Sequence, residues 1–346
     1  MKFDFVIGNP PYQDESNGEM RNYAPPIYDR FMDACYEIAD VVELIHPARF
    51  LFNAGSTPKA WNEKMLQDEH FKVLYYEEEG NKIFPSLTTP LRGGVAITYR
   101  NASESYGAIQ AFTKFPEVNA ILQKVINDAS FQTLMDIVYS RTSYRFTDRM
   151  HEEHPDAINK LSNGHAYDMS SNILQRLPDI FFDVEPDDEN DYIQILGRDN
   201  GKRVYKYIRR DYVKRVDNLD FYKLYVAQAN GSGEFGEAMS DPVVEKPGVG
   251  ATETFISIGK FDTEDEAKSV EKYIKTKFAR TLLSVLKVTQ NGNKPVWRMI
   301  PLQNFTESSD IDWSKSVQEI DSQLYEKYGL DEQEIDFIES HVKEME

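Results

Sequence analysis

A single cysteine, Cys35, is all the thiol chemistry the chain carries. That excludes internal disulfides and cysteine-built metal centres. Long apolar runs are also missing: the longest are strand-sized, well short of the ~20 residues that span a bilayer. No basic-then-apolar leader opens the sequence, so the expectation is a reducing, cytoplasmic location with no membrane association. Positive charge is scarce as well, with 39 Lys and Arg against 58 Asp and Glu, a net of −19. Over the whole chain that balance argues against nucleic acid, because phosphate contacts need Lys and Arg. What the sequence does hold is ordinary globular material. Its 346 residues are 40% hydrophobic and 12% aromatic. That fills cores and suits two domains.

The acidity is uneven. Residues 200–230 hold eight Lys/Arg against three Asp, a net of +5, and residues 270–300 hold seven against Glu271, a net of +6. Residues 301–346 carry three Lys against thirteen acids, a net of −10. Part of the negative charge is therefore a tail, and two basic stretches remain as a candidate phosphate-facing surface. Lys202, Arg203, Arg209, Arg210, Lys214, Lys275 and Lys277 are its candidates. The plainer alternative for each run alone is a solvated helix or strand face.

The first hundred residues alternate strand and helix. FDFVIG reads as a buried strand, PPIYDRFMDACYEIA as an amphipathic helix, and VVELIHP as a strand ended by Pro47. STPKAWNEKMLQDE has Ser56 or Thr57 to cap a helix and Pro58 at its first position. FKVLYYEEE and GGVAITYRN are two strands with no helix between them, which predicts a largely parallel sheet with one antiparallel member. Only one half of a doubly wound sheet is read here. After residue 107 the texture changes. A helix broken near Pro116, a hairpin around Asp199-Asn200-Gly201, one long helix capped at Asp262 or Thr263 and two short helices meeting at Gly329 are expected. The division predicted is residues 1–107 and 108–346.

The distinctive element is Asn9-Pro10-Pro11-Tyr12, directly after the first strand. Ligands of such sheets bind at the carboxyl ends of the strands. The two prolines fix the backbone and remove two N–H groups, leaving carbonyls without competing donors. Asn9 adds a side-chain carbonyl. Asn9 and Pro10 together offer two acceptors to one planar amino group, and Tyr12 offers a face for a flat ring. Such a site needs no metal and no strong base. Positioning and desolvation do the work. The bland alternative is a rigid turn.

NPPY after a strand resembles the signature of amino-methyltransferases that use S-adenosylmethionine. The wider pattern is similar to the adenine-N6 DNA methyltransferases of restriction–modification systems, in the group related to type IIG enzymes. PIYDRFMDACYEIADVVELIHPARFL and FKVLYYEEEGNKIFPSLTTPLRGGVAITYRN look like that family's blocks after NPPY. Stretches from LDFYKLYVAQANGSGEFGE to IDWSKSVQEIDSQLYEKYGL look like its target-recognition region. The resemblance implies an α/β chain: half of a Rossmann-like methyltransferase sheet, then a mixed α/β target-recognition domain with C-terminal helices. It implies a catalytic group of Asn9, Pro10, Pro11 and Tyr12, with Phe84 opposite Tyr12 across a flipped adenine. It implies double-stranded DNA as partner. The family's cofactor-binding half, with a Gly-rich turn and a ribose-binding acid, is not read in this sequence. The expectation is therefore an incomplete S-adenosylmethionine pocket completed by a partner chain.

Two other readings stand beside this one. The chain could be a catalytically inactive DNA-binding or specificity module, or an amino-methyltransferase acting on protein glutamine or RNA. GSGEFG (Gly231, Gly233, Gly236) matches a dinucleotide-type turn, but Pro242 and Pro247 leave no room for the helix it must open. A recognition-domain loop is the expectation, with Gln228, Asn230 and Ser232 placed to reach bases or phosphates. His151 and His154 lack a third metal ligand and read as surface residues.

Overall fold

A computed structural model describes residues 2–14, 25–85, 91 and 93–345. The chain divides into two compact units, Met1–Gln123 and Lys124–Glu346.

The first unit holds β1 (Phe3–Gly8), α1 (Tyr28–Ile38), β2 (Ala39–Pro47), α2 (Lys59–Gln67), β3 (Phe71–Glu77), the single-turn α3 (Gly80–Ile83) and β4 (Val95–Asn101). α4 (Pro116–Ile126) runs across the boundary. The sheet order is β1-β2-β4-β3. β1 and β2 pair in parallel, with Gly8 opposite Leu44. β4 lies antiparallel to both of its neighbours, so it is the one reversed member. The segments after β1, β2 and β3 therefore leave from the same rim of the sheet. α1 buries Tyr28 and Met32 in a core with Val42, Leu44, Phe50, Trp61, Met65 and Phe71. At the end of β2 His46 is fully buried, accepting from or donating to the Thr98 hydroxyl at 2.7 Å, and stacked on Tyr28. Burial depresses its pKa to about 4, which keeps the ring neutral.

β1 corrects the reading of FDFVIG as buried. Phe5 is 71% and Ile7 78% exposed, and Phe3 48%. β1 is the sheet edge, hydrogen-bonded to β2 alone among the described residues. Side chains alternate across a strand. Val6 turns into the core, while Phe3, Phe5 and Ile7 share the uncovered face. The helix expected around Pro116 is likewise shorter than read. Pro116 begins α4 and no helix precedes it, as its fixed backbone and missing N–H favour a first-turn position.

The second unit adds β5 (Val138–Tyr139), α5 (Asp148–Glu153), α6 (Ile173–Arg176), β6 (Tyr192–Asp199), β7 (Lys202–Arg209), β8 (Tyr222–Ala227), β9 (Val243–Glu245), β10 (Val249–Ala251), β11 (Phe255–Phe261), α7 (Glu264–Lys275), α8 (Lys277–Leu286), α9 (Val317–Lys327) and α10 (Glu332–His341). Its strands form a three-stranded sheet, β10-β6-β7, and a four-stranded one, β5-β11-β8-β9. β6 and β7 are the expected hairpin, turned by Asn200 and Gly201, both with φ > 0. The single long helix after Thr263 is instead two. Thr263 opens α7 with a capping box, and Thr276 ends it and caps α8 by accepting from the Ala279 N–H. The acidic Asp183–Asp191 run carries no helix or strand.

Candidate functional site

β1 ends at Gly8, and Asn9-Pro10-Pro11-Tyr12 turns out of the sheet at the rim. Asn9 is exposed and its amide has no partner among the described residues; the Pro10 side is half-buried. Neither the Asn9 nor the Pro10 carbonyl accepts a hydrogen bond there, since the prolines supply no donors and the neighbouring chain bonds further on. That neighbour is the segment before α1. Ile27 N–H donates to the Tyr12 carbonyl at 3.2 Å, and Asp14 N–H to the Pro25 carbonyl at 3.0 Å. The motif is thereby clamped at Tyr12 and open at Asn9 and Pro10.

Tyr12 and Phe84 do meet. Their ring centroids are 6.4 Å apart and the planes are inclined by 65°, an edge-on contact. Phe84 sits at the end of α3, its N–H on the Gly80 carbonyl at 2.9 Å. The Tyr12 hydroxyl is buried without a hydrogen-bond partner, and desolvation pushes its pKa up to about 12. The rings do not stand parallel with a gap between them. A flat base entering here must first part them. Asp29, in the first turn of α1, is also buried, and its Oδ1 has no partner.

The candidate DNA-facing cations sit mostly in ion pairs. Arg209 is held by Glu153 at 2.7 Å and Asp211 at 2.6 Å, and Arg210 by Asp191 and Asp220, both at 2.7 Å. Lys275 pairs with Glu271 at 3.1 Å and Lys277 with Glu339 at 2.5 Å. Arg203 donates to the Asp241 carbonyl, and Lys214 lies over the Tyr167 ring. Lys202 is exposed and unpaired among the described residues. Gln228 is buried, and its amide holds the 290–293 loop through Asn291 and Asn293. The Asn230 side chain accepts from the Ser240 N–H.

GSGEFG forms no cofactor turn. It opens no helix, and its two convergent N–H groups are taken by the loop's own carboxylate. Glu237 accepts from Ser232 N–H at 2.7 Å, Gly233 N–H at 2.9 Å, the Ser232 hydroxyl at 3.0 Å and Lys287 Nζ at 2.7 Å. Burial would raise the Glu237 pKa, but those donors outweigh it and hold it at about 2. His151 and His154 bond separate partners, the Ala166 carbonyl and the Tyr212 hydroxyl. Among the described residues no group of three His, Cys, Asp or Glu side chains is placed to hold a metal ion. No helix among them is long and apolar enough to cross a membrane.

Among the described residues β1 pairs with β2 alone, so its other side is open.

Reading the sequence passed over Arg49. It starts the turn Arg49–Phe52 after β2, on the same rim as the motif. Its only signal is the break of an apolar strand at His46-Pro47-Ala48-Arg49.

Residues 1–84 match the family model of the Eco57I restriction-modification methylase. Over that segment the chain is similar to the methylases of restriction–modification systems. No curated protein matches it. Two solved structures are similar in trace. One is described as the type IIG restriction endonuclease BpuSI, at 9% identity and a TM-score of 0.29, over 84% of this chain and 43% of that one. The other is described as the type IIL restriction-modification enzyme MmeI in complex with DNA, at 8% identity and a TM-score of 0.32, over 98% and 56%. The chain spans about half the length of these structures.

Proposed function

We propose that this chain is the target-base and recognition portion of a DNA adenine-N6 methyltransferase of a restriction–modification system. The observation that carries the reading is the rim at β1. There Asn9 and Pro10 present acceptors with no donor of their own, one residue from an aromatic pair formed by Tyr12 and Phe84. The Asn9 Oδ1 and the Pro10 carbonyl each accept one hydrogen of the adenine amino group. This holds the amine in plane until it attacks and makes its nitrogen more electron-rich. The amine's extra proton leaves to water, so no side-chain base is required. The flipped ring lies against Tyr12 and Phe84.

S-adenosylmethionine supplies the methyl group. The bare edge of β1, with Phe3, Phe5 and Ile7 uncovered, is where a cofactor-binding βα unit adds, and a partner chain is the proposed source. Double-stranded DNA is the substrate, and the second unit is the proposed recognition domain.

The test is nucleoside mass spectrometry of DNA from cells producing the chain together with its companion half. N6-methyladenine is expected with the wild type and is absent with Asn9→Ala. Methylated cytosine, or methyl transferred only to protein glutamine or RNA, overturns the reading.

A further inference from the structure

We infer that Arg49 is an anchor for a DNA backbone phosphate beside the flipped nucleotide, a site that rests on the adenine-methyltransferase reading. Topology places it. β1 and β2 run parallel with Gly8 opposite Leu44, so the motif after β1 and the turn after β2 leave the sheet side by side. The turn itself is rigid, with Phe50 and Leu51 fully buried and the Ala48 N–H on the Gly94 carbonyl at 3.0 Å.

The Arg49 stem lies between two glycines with left-handed backbones, Gly55 at φ +92° and Gly93 at φ +84°. A Cβ at Gly93 would come within 2.6 Å of Arg49 Cγ, and one at Gly55 within 3.3 Å of its Cβ. These positions leave room for an arginine stem and fix its path.

The head is unspent. Arg49 is exposed and pairs with no carboxylate among the described residues. Several other cations of its unit are already paired: Lys64 with Asp33, Arg100 with Asp68, and Lys82 and Lys114 with the acids Glu77, Glu78 and Glu79 of the same rim. A guanidinium with a clamped stem and a vacant fork is preorganised for a planar, two-oxygen anion. Next to a pocket that receives an extrahelical base, that anion is the phosphodiester of the same nucleotide.

The experiment compares the full chain on two duplexes of one sequence, fully paired and with a single bulged adenine, across a salt series. Wild type is expected to prefer the bulged duplex. Arg49→Gln should lower affinity for it about tenfold and reduce the slope of log affinity on log salt by about 0.9. Arg49→Lys should keep the slope and recover only part of the affinity, because it has the charge without the fork. Tyr12→Ala is the control for the base pocket. If Arg49→Gln matches wild type while Tyr12→Ala has lost the preference, the phosphate anchor is refuted and the base pocket stands. If wild type shows no preference for the bulge, the adenine reading itself is refuted.

Discussion

Under the proposed function, the contact between Tyr12 and Phe84 sets how much each ring contributes to holding a flipped base. In the free pocket the rings meet edge-on at 6.4 Å. Such contacts contribute about 0.5–1.5 kcal/mol beyond area burial. A base entering between them loses that contact and gains stacking of about 1–3 kcal/mol per face. Phe84→Ala removes one stack, and it also removes the contact that had to be broken. The net loss expected is therefore only about 0.5–1.5 kcal/mol, a hold weaker by about twofold to twelvefold. Tyr12→Ala follows the same arithmetic but also releases a clamp residue, so its loss should be the larger. Tyr12→Phe separates the ring from its hydroxyl. That hydroxyl is buried without a partner, and its pKa of about 12 keeps it neutral. Deleting it should leave flipping unchanged between pH 6 and 9, with stability equal or slightly higher. The assay is fluorescence of 2-aminopurine at a mismatched or bulged position, titrated with protein. Equal fluorescence for wild type and Tyr12→Ala would refute the pocket. A tenfold or greater loss in Tyr12→Phe would show that the hydroxyl, not the ring face, carries the binding.

Two further outcomes concern the rest of the chain. Phe5→Lys, alone or with Ile7→Lys, should reduce self-association of the isolated chain in sedimentation velocity and block assembly with a cofactor half, because charge on an open apolar edge prevents strand addition. Unchanged assembly would mean that β1 is not the joint. Glu237→Gln should lower stability at pH 7 by ~2–3 kcal/mol, from a carboxyl held at about 2 against its ordinary 4.5 with a side chain only 14% exposed. The depressed pKa makes this stability complete above pH 4.5 and progressively lost as pH falls toward 2, so urea midpoints of wild type and variant should converge at low pH. Parallel pH profiles would refute it.

Local chemistry made several elements legible. Asn200-Gly201 can hardly avoid a tight hairpin, and both residues take positive φ. Gly329 turns between α9 and α10, again with φ > 0. Two successive strands without a full helix between them did signal the reversed β4. The break at Thr276 was hidden because apolar spacing continues through it; only the dual role of its hydroxyl, donating to the Tyr273 carbonyl and accepting from Ala279, marks the junction. The exposure of β1 was hidden for another reason. An apolar strand reads the same whether its outer face is covered or bare, and neighbours in space decide which. At the site, Asn9 to Tyr12 were legible from residue chemistry, whereas Phe84 came only through family resemblance. Arg49 was not seen because the glycines that frame it lie 6 and 44 residues further along the chain.

The basic stretches show most clearly what composition cannot carry. Counted along the sequence, residues 200–230 and 270–300 are cationic. In space their charges are met by acids from elsewhere: Glu153 reaches Arg209, and Glu339 reaches Lys277. Arg209 and Lys277 keep only 14% and 16% of their side chains exposed. For such a cation, a phosphate is not a new partner but a replacement. The gain is the difference between two ion pairs, and the displaced carboxylate is left facing DNA. Each exchange therefore contributes little affinity, and it releases fewer counterions than a phosphate contact from an unpaired side chain. Cations that can add a contact without breaking an ion pair are those with no carboxylate partner among the described residues, among them Arg49 on the first unit's rim, and Lys202, Arg215, Lys294 and Arg298 on the second. A chain of net charge −19 is thereby pushed toward few and well-placed phosphate contacts. Under the proposed function, affinity then depends more on the base pocket and on base-edge contacts than on a broad basic face.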